Sequence, residues 1–462
     1  MILIKNANIV NEGGIAQGDV LVDGEVIAAV GTDLKADGAE VIDASGRYLL
    51  PGVIDTHVHF RDAGNMENPA ANFEGESLMA LAGGVTSVVD MPNTNPQTVS
   101  LALMEEKERH AAECSYVNYG FMIGATNDNI DDILAIDPTR YAAIKLFLGS
   151  STGNMLVNDP EKLDKLFAES KKLIVAHCEE EDIVQANTRA LKMEFAGTTR
   201  ENANLHPKVR TTEACYVSTY KAIARARRYN TRFHVAHVSS ATELDLLSNQ
   251  ELDQKNVTAE VTPNHLWFDD RDYDTLGNLI KCNPAIKSNN DRLALWAALY
   301  DGRLDTIGSD HAPHPWANKQ KNYFDAPSGI PSIRYSLLMM LEPFFNSCTT
   351  PSEREELIKN WFPIVVSKMC HNPAEIFGIE KRGYVRPGYQ ADLVLVGACP
   401  DGDPVPDNPA LDCADAAARW TPLAGHRFHS QVEKVLVNGN VAYDHERPEQ
   451  PVRNAQQMRY TK

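Results

Sequence analysis

Between about residue 52 and residue 375 the chain repeats one local grammar: a short apolar run, a loop, then a helical stretch. The apolar runs are Ile54–Phe60, Val85–Met91, Tyr116–Ile123, Ala142–Leu148, Leu173–His177, Phe233–Val238, Val257–Thr262 and Thr306–Asp310. Helical patterns fall between them, for example over Glu74–Ala82, Pro160–Lys171, Thr212–Tyr229 and Ala241–Ser248. Strands that alternate with helices must pair in parallel, with helices covering the sheet. Eight such units predict an α/β fold, a (β/α)8 barrel of the TIM type, whose chemistry belongs at the C-terminal ends of its strands.

The flanks have a different grammar. Ile2-Leu3-Ile4, Val20-Leu21-Val22, Val26–Val30 and Glu40-Val41-Ile42 read as short strands, two of them separated by Asp23-Gly24 as in a tight hairpin. Gln390–Val396 and Val435–Tyr443 repeat the design near the other end, with Asn438-Gly439 as the turn. The two ends are therefore expected to be halves of one small β-sandwich domain, residues 1–51 and 379–462, with residues 52–378 as the inserted barrel. A chain of 462 residues has room for such a large domain plus an accessory one.

Composition narrows the partners. A net charge of −19 argues against a nucleic-acid or anionic-membrane surface, and an anionic substrate would need a locally basic pocket. The eight cysteines include no CxxC pair, as expected of reduced thiols in a cytoplasmic enzyme. The first residues carry no signal-peptide pattern, and no run approaches a membrane span. A small-molecule substrate is the expectation.

The strand ends carry a consistent set of polar residues. Asp55-Thr56-His57-Val58-His59 closes the first, with two histidines at i, i+2 that share a face and can converge on one metal ion or form a satisfied polar pair. The second ends in Met91-Pro92-Asn93, the fifth in Ala176-His177, the sixth in Ala236-His237 and the eighth in Gly308-Ser309-Asp310. Four histidines and an aspartate exceed what one tetrahedral zinc uses, which suggests two ions with an anionic bridge. Lys145 lies inside the fourth strand, where burial favours the neutral amine. A neutral amine can add CO2 to become a bridging carbamate; the alternative is an ion pair with a buried acid such as Asp310.

These segments, with Ile144-Lys145-Leu146-Phe147, His234–Ser240 and Ser309–His314, resemble the cyclic amidohydrolases and occur in that family's order. The resemblance implies that His57 and His59 hold one metal and His177 and His237 the other. Carboxylated Lys145 would bridge two zinc ions, and Asp310 would complete the first site and exchange protons as the catalytic acid–base. His59-Phe60-Arg61 and Met91–Pro96 look like the dihydroorotase branch rather than dihydropyrimidinases, hydantoinases or allantoinases. A guanidinium at Arg61 and an amide at Asn93 suit an exocyclic carboxylate; a salt bridge from Arg61 to Asp62 or Glu67 is the competing role. The same resemblance brings Asn283 of Lys281–Lys287 to the ring, with His314 and the backbone of Ser328 and Gly329 as further substrate contacts.

The implied reaction is reversible interconversion of L-dihydroorotate and N-carbamoyl-L-aspartate in pyrimidine synthesis, by an enzyme that is a dimer. The alternatives are an allantoinase, hydantoinase or dihydropyrimidinase activity, or a catalytically silent scaffold, which would be expected to have lost ligands. Outside this set, His110, His206, His371, His426, His429 and His445 are expected to be surface or structural residues, and His234 to be packed. His265 and His311 are candidate supports behind the ligands, and residues 314–323 a candidate loop over the site.

Overall fold

The computed structural model describes residues 1–63, 72–149, 155–195, 202–342, 348, 350–410 and 416–461. Glu67 and Cys413 lie outside them. The eight parallel strands all form: Val53–Val58, Val85–Asp90, Asn118–Phe121 continuing into Ile123–Gly124, Ile144–Phe147, Ile174–His177, Phe233–Val235, Val257–Val261 and Thr306–Ile307. The first three pair in sequence order as one parallel set, and Ile123–Gly124 through Thr306–Ile307 as another. Met122 joins the two sets along the chain, and a parallel bridge from Val58 to His311 connects the first strand to the segment after the eighth. Nearly every residue of these strands is buried, as parallel strands covered by helices require.

The strands are shorter than the apolar runs, and they lose residues at the functional end. His59, His237 and Asp310 all lie past the last paired residue of their strands. His237 (φ 35°) and Asp310 (φ 48°) leave the extended conformation altogether. The helices Phe73–Ala82, Pro160–Glu169 and Thr212–Tyr229 match the sequence pattern closely, whereas Ala241–Leu246 is a 3-10 helix. There the Glu243 carboxylate accepts from the backbone of Ser239 and Ser240 and from the Ser240 hydroxyl, tightening the turn.

The chain ends form a single eight-stranded, mostly antiparallel sheet in the order Asn440–Asp444, Arg427–Val437, Leu393–Pro404, Tyr48–Pro51, Ile2–Asn11, Gly14–Asp23 and Val26–Gly31, with Glu40–Asp43 beside Ile2–Ile4. Ile4, Val20, Ile27, Leu49, Leu393 and Leu436 share its separate apolar core. Asn438 and Gly439 both have positive φ, the conformation a two-residue hairpin needs; at the other hairpin the loop residues are Gly24 and Glu25. The run Tyr48–Ile54 is split at Gly52, where the chain leaves the terminal sheet and enters the first parallel strand. A Cβ at Gly52 would lie 2.0 Å from Thr86 Oγ1, so only glycine permits that passage. Among the described residues no helix is long and apolar enough to cross a membrane.

Candidate active site

The strand ends bring almost the whole sequence-derived set to one cavity. His57, His59, Arg61, Asn93, Lys145, Phe147, His177, His237, Asn283, Asp310, Ser328 and Gly329 line it. His59 Nε2 lies 3.1 Å and His57 Nε2 3.3 Å from Asp310 Oδ1, the latter without hydrogen-bond alignment. Behind them, His57 Nδ1 donates to Glu260 Oε1 at 2.6 Å and His59 Nδ1 to Asn93 Oδ1 at 2.7 Å. Both Nε2 lone pairs are thereby left for the cavity.

A second pair faces the first. His177 Nδ1 and His237 Nε2 are 3.0 Å apart, and His177 Nε2 donates to Glu179 Oε2 at 2.9 Å. Glu179 is also paired with Arg210. Burial would raise the Glu179 carboxyl, but Arg210 and His177 outweigh it and hold it well below the ordinary carboxylate range. Burial pushes His57 and His237 far down, so both imidazoles are neutral, the form that binds metal. Burial opposes the charge of Asp310 as well; a proton on any of the neighbouring His57, His59 or His237 pulls its carboxyl well below the usual range.

Lys145 is buried in the fourth strand, and burial lowers it to about 8 despite Glu260 and Asp310 nearby. No carboxylate forms an ion pair with it among the described residues; Asp310 is turned to His57 and His59 instead. The donor set fits divalent ions. His57, His59 and Asp310 offer three ligand atoms within 4.8 Å of one another, and the buried His57 Nε2 and His237 Nδ1 have no hydrogen-bond partner. Two imidazole nitrogens and the Lys145 amine stand opposite.

Arg61 reaches the cavity by a route other than strand parity. The strand has ended at Val58, and Arg61 sits at φ 59°, in the left-handed region. Phe60 N, just before it, donates to Asp90 Oδ1 at 2.8 Å. Arg61 is half-buried, its buried Nε has no hydrogen-bond partner, and Asp62 is occupied by His110 Nε2 and Phe73 N, at 2.9 Å each. Asn283 Oδ1 is likewise buried and unpartnered. His314 stands next to the wall residue Ser328, to whose carbonyl its Nε2 donates at 3.0 Å. Gly329 N is committed to Lys281 O at 2.8 Å, Ser328 O accepts from His314 and Gly329 O from Lys319, which leaves the amide of Ser328 as the backbone group without a partner for a ligand.

Sequence reasoning passed over the seventh strand. Glu260 is fully buried there, raised by burial to about 7, and also accepts from His237 N at 3.1 Å. A lone carboxylate inside the apolar run Val257–Thr262 was the available signal. Glu179, two residues past His177, was missed in the same way. His311 and His265 do sit behind the site: His311 Nε2 pairs with Glu76 Oε2 at 2.9 Å, and His265 Nε2 donates to Pro284 O at 3.1 Å. His234 is packed between Thr258 and Thr306, and His206 is buried between Tyr323 and Cys282.

Known proteins are similar to most of this chain. The chain is 34% identical over 411 residues to a dihydroorotase of Halobacterium salinarum, covering 88% of this chain and 89% of that protein. It is 29% identical over 405 residues to an L-hydantoinase of Paenarthrobacter aurescens, covering 86% and 85% of the two. The crystal structure of the L-hydantoinase (dihydropyrimidinase) from Arthrobacter aurescens superposes with a TM-score of 0.88 at 25% identity, covering 99% of each chain. Residues 48–442 match the amidohydrolase family as a whole. With that match spanning both the parallel strands and most of the C-terminal sheet, the chain belongs to the amidohydrolase family.

Proposed function

We propose that the protein is a dihydroorotase, interconverting L-dihydroorotate and N-carbamoyl-L-aspartate in pyrimidine synthesis. The observation that carries the reading is Arg61: a half-buried guanidinium on the wall of a cavity with His57, His59 and Asp310, its buried Nε unpartnered and Asn93 on the same wall. A guanidinium with a buried, unpartnered N–H suits an anion, and an exocyclic carboxylate distinguishes dihydroorotate from neutral cyclic amides. Asn93 gives its oxygen to His59, which leaves its NH2 group for the same carboxylate.

His57, His59 and Asp310 would hold one zinc ion and His177 and His237 the other, with carboxylated Lys145 between them. Bound ions of this kind lower the pKa of a water molecule and polarise an amide carbonyl. Asp310, beside His57 and His59, takes the water's proton and delivers it to the ring nitrogen as the amide opens. In the direction of synthesis it takes the proton back from the ureido nitrogen. Arg61 and Asn93 fix the carboxylate while Asn283 and the backbone of Ser328 and Gly329 orient the ring.

The same reading takes residues 52–378 as a closed eight-stranded barrel, supported by the Val58–His311 bridge, with residues 1–51 and 379–462 as one small β-sandwich domain. It takes the enzyme to be a cytoplasmic dimer. Likeness to the L-hydantoinase favours a second reading, a cyclic amidase acting on a ring without the carboxylate. Purified protein assayed by absorbance with dihydroorotate, hydantoin and allantoin separates the two. Turnover of dihydroorotate alone is expected; hydantoin or allantoin turnover without dihydroorotate would replace this function with the second reading.

A further inference from the structure

Lys319 carries a buried charge that the reaction above does not use. It ends the short helix Trp316–Lys319, is 1% exposed, and its Nζ donates to Lys281 O at 3.2 Å, Pro327 O at 3.0 Å and Gly329 O at 2.8 Å. Lys281 does the same one step away, its Nζ donating to Tyr323 O and Ala326 O, both at 2.6 Å. Gly329 N returns to Lys281 O, so residues 323–329 are tied to the 281 segment from both sides. Every acceptor is a neutral carbonyl, and among the described residues neither ammonium is in an ion pair.

Burying an ammonium without a counter-charge is costly, and here charge-assisted hydrogen bonds offset it, with the Tyr323 ring 4.5 Å from Lys281 and the Trp420 ring 5.8 Å from Lys319. An apolar side chain would fill the same space at no such cost, so packing alone does not account for a lysine. The segment it holds has little room of its own: Gly329 has φ 142°, and a Cβ there would lie 2.4 Å from Ala312 O. Ser328 and Gly329 line the cavity, and Ser328 O accepts from His314.

We propose that Lys319 is a positioning residue for the ring of the substrate, its ammonium holding Pro327–Gly329 in the conformation that the ring amide meets. This rests on the reading of Ser328 and Gly329 as substrate contacts. All three bonds require the charged form, because a neutral amine has only two N–H groups to donate. Burial, aided by Lys281 and opposed by Cys282, brings Lys319 down to about 7. The other groups around it leave that charge uncompensated. The Cys282 thiol is pushed up by burial to about 12, and burial together with Arg61 and Lys319 keeps His314 neutral, at about 3. The Trp420 ring lies 5.8 Å from the ammonium, and Asp325 acts on Lys281. The wall is therefore held firmly below neutral pH and loosens above it.

The test compares Lys319→Met, Lys319→Arg and wild type in the full metal-loaded chain. KM and kcat are measured from pH 6 to 9 on whichever of dihydroorotate or hydantoin the wild type turns over, so a wrong substrate assignment does not decide the outcome. Lys319→Met is expected to raise KM about tenfold, the weakening of about one hydrogen bond between the wall and the ring, with kcat within about threefold. Wild-type KM is expected to rise above pH 7, and Lys319→Arg, always charged, to remove that rise. Hydrogen–deuterium exchange at pH 6.5 should quicken over residues 320–331 in Lys319→Met and not elsewhere. An unchanged KM with unchanged exchange in Lys319→Met overturns the proposal. If that variant does not fold, a wild-type KM that is flat with pH, or the same rise in Lys319→Arg, overturns it.

Discussion

Glu260 holds His57 from behind: its Oε1 accepts from Nδ1 at 2.6 Å, deep beneath the cavity floor. The bond fixes which imidazole nitrogen keeps its lone pair, and it depends on a glycine. A Cβ at Gly308 would lie 2.3 Å from Glu260 Oε2 and 3.0 Å from the His57 Cβ.

Glu260→Gln removes the acceptor charge and leaves the tautomer of His57 undefined. Metal retained after dialysis against a competing chelator should fall roughly 10- to 100-fold in affinity. Retention equal to wild type would show that His57 is oriented by packing alone.

Gly308→Ala forces a methyl group against that carboxylate. A loss of ~1–3 kcal/mol is expected from overpacking, read as a lower urea midpoint. An unchanged midpoint would mean that Glu260 has another place to go.

Arg61→Met should raise the KM for dihydroorotate about 10- to 100-fold, as expected for lost hydrogen bonds to a charged group, while bound metal stays unchanged. An unaltered KM would remove Arg61 from carboxylate recognition.

Lys145→Ala deletes the bridging group. The protein should retain about half the wild-type metal content, and a carbamate carbon signal seen by 13C NMR in protein equilibrated with labelled bicarbonate should vanish. Full metal content in the variant would argue that the amine plays no part in binding.

His110 provides a pH test outside the metal site. Its hydrogen bond to Asp62 raises it from its ordinary value to about 10 in the folded protein. The unfolded value is about 6.5, so its stabilising contribution is complete below pH 6.5. It is lost as pH rises through 10. His110→Gln should therefore flatten the decline of the urea midpoint between pH 7 and 10; parallel declines in the two proteins would exclude the pair as a contributor.

The cavity residues were legible because His57, His59, His177, His237 and Asp310 close apolar strands and Lys145 lies inside one, a placement that the other histidines do not share. The route by which some of them arrive was not. Arg61 enters the cavity through a left-handed turn held by Asp90, and that depends on a contact between two strands. Glu260 and Glu179 escaped because a single carboxylate in a strand looks the same whether it faces water or an imidazole. The partner is what distinguishes them, and it lies 203 positions away for Glu260. His314 was placed by its spacing from Asp310, yet its hydrogen bond to Ser328 is set by a loop fourteen residues on.

The pairing of Tyr48–Pro51 with Leu393–Val396 has a consequence for how the molecule is made. During synthesis the strand that leads directly to His57 emerges early, and its antiparallel neighbour emerges only after the parallel strands are complete. Until then its hydrogen-bonding edge stays open, a template for any passing extended chain. Contacts this remote in sequence form slowly. Nascent chains stalled before residue 393 should therefore be the aggregation-prone species, and those extended past residue 444 should not.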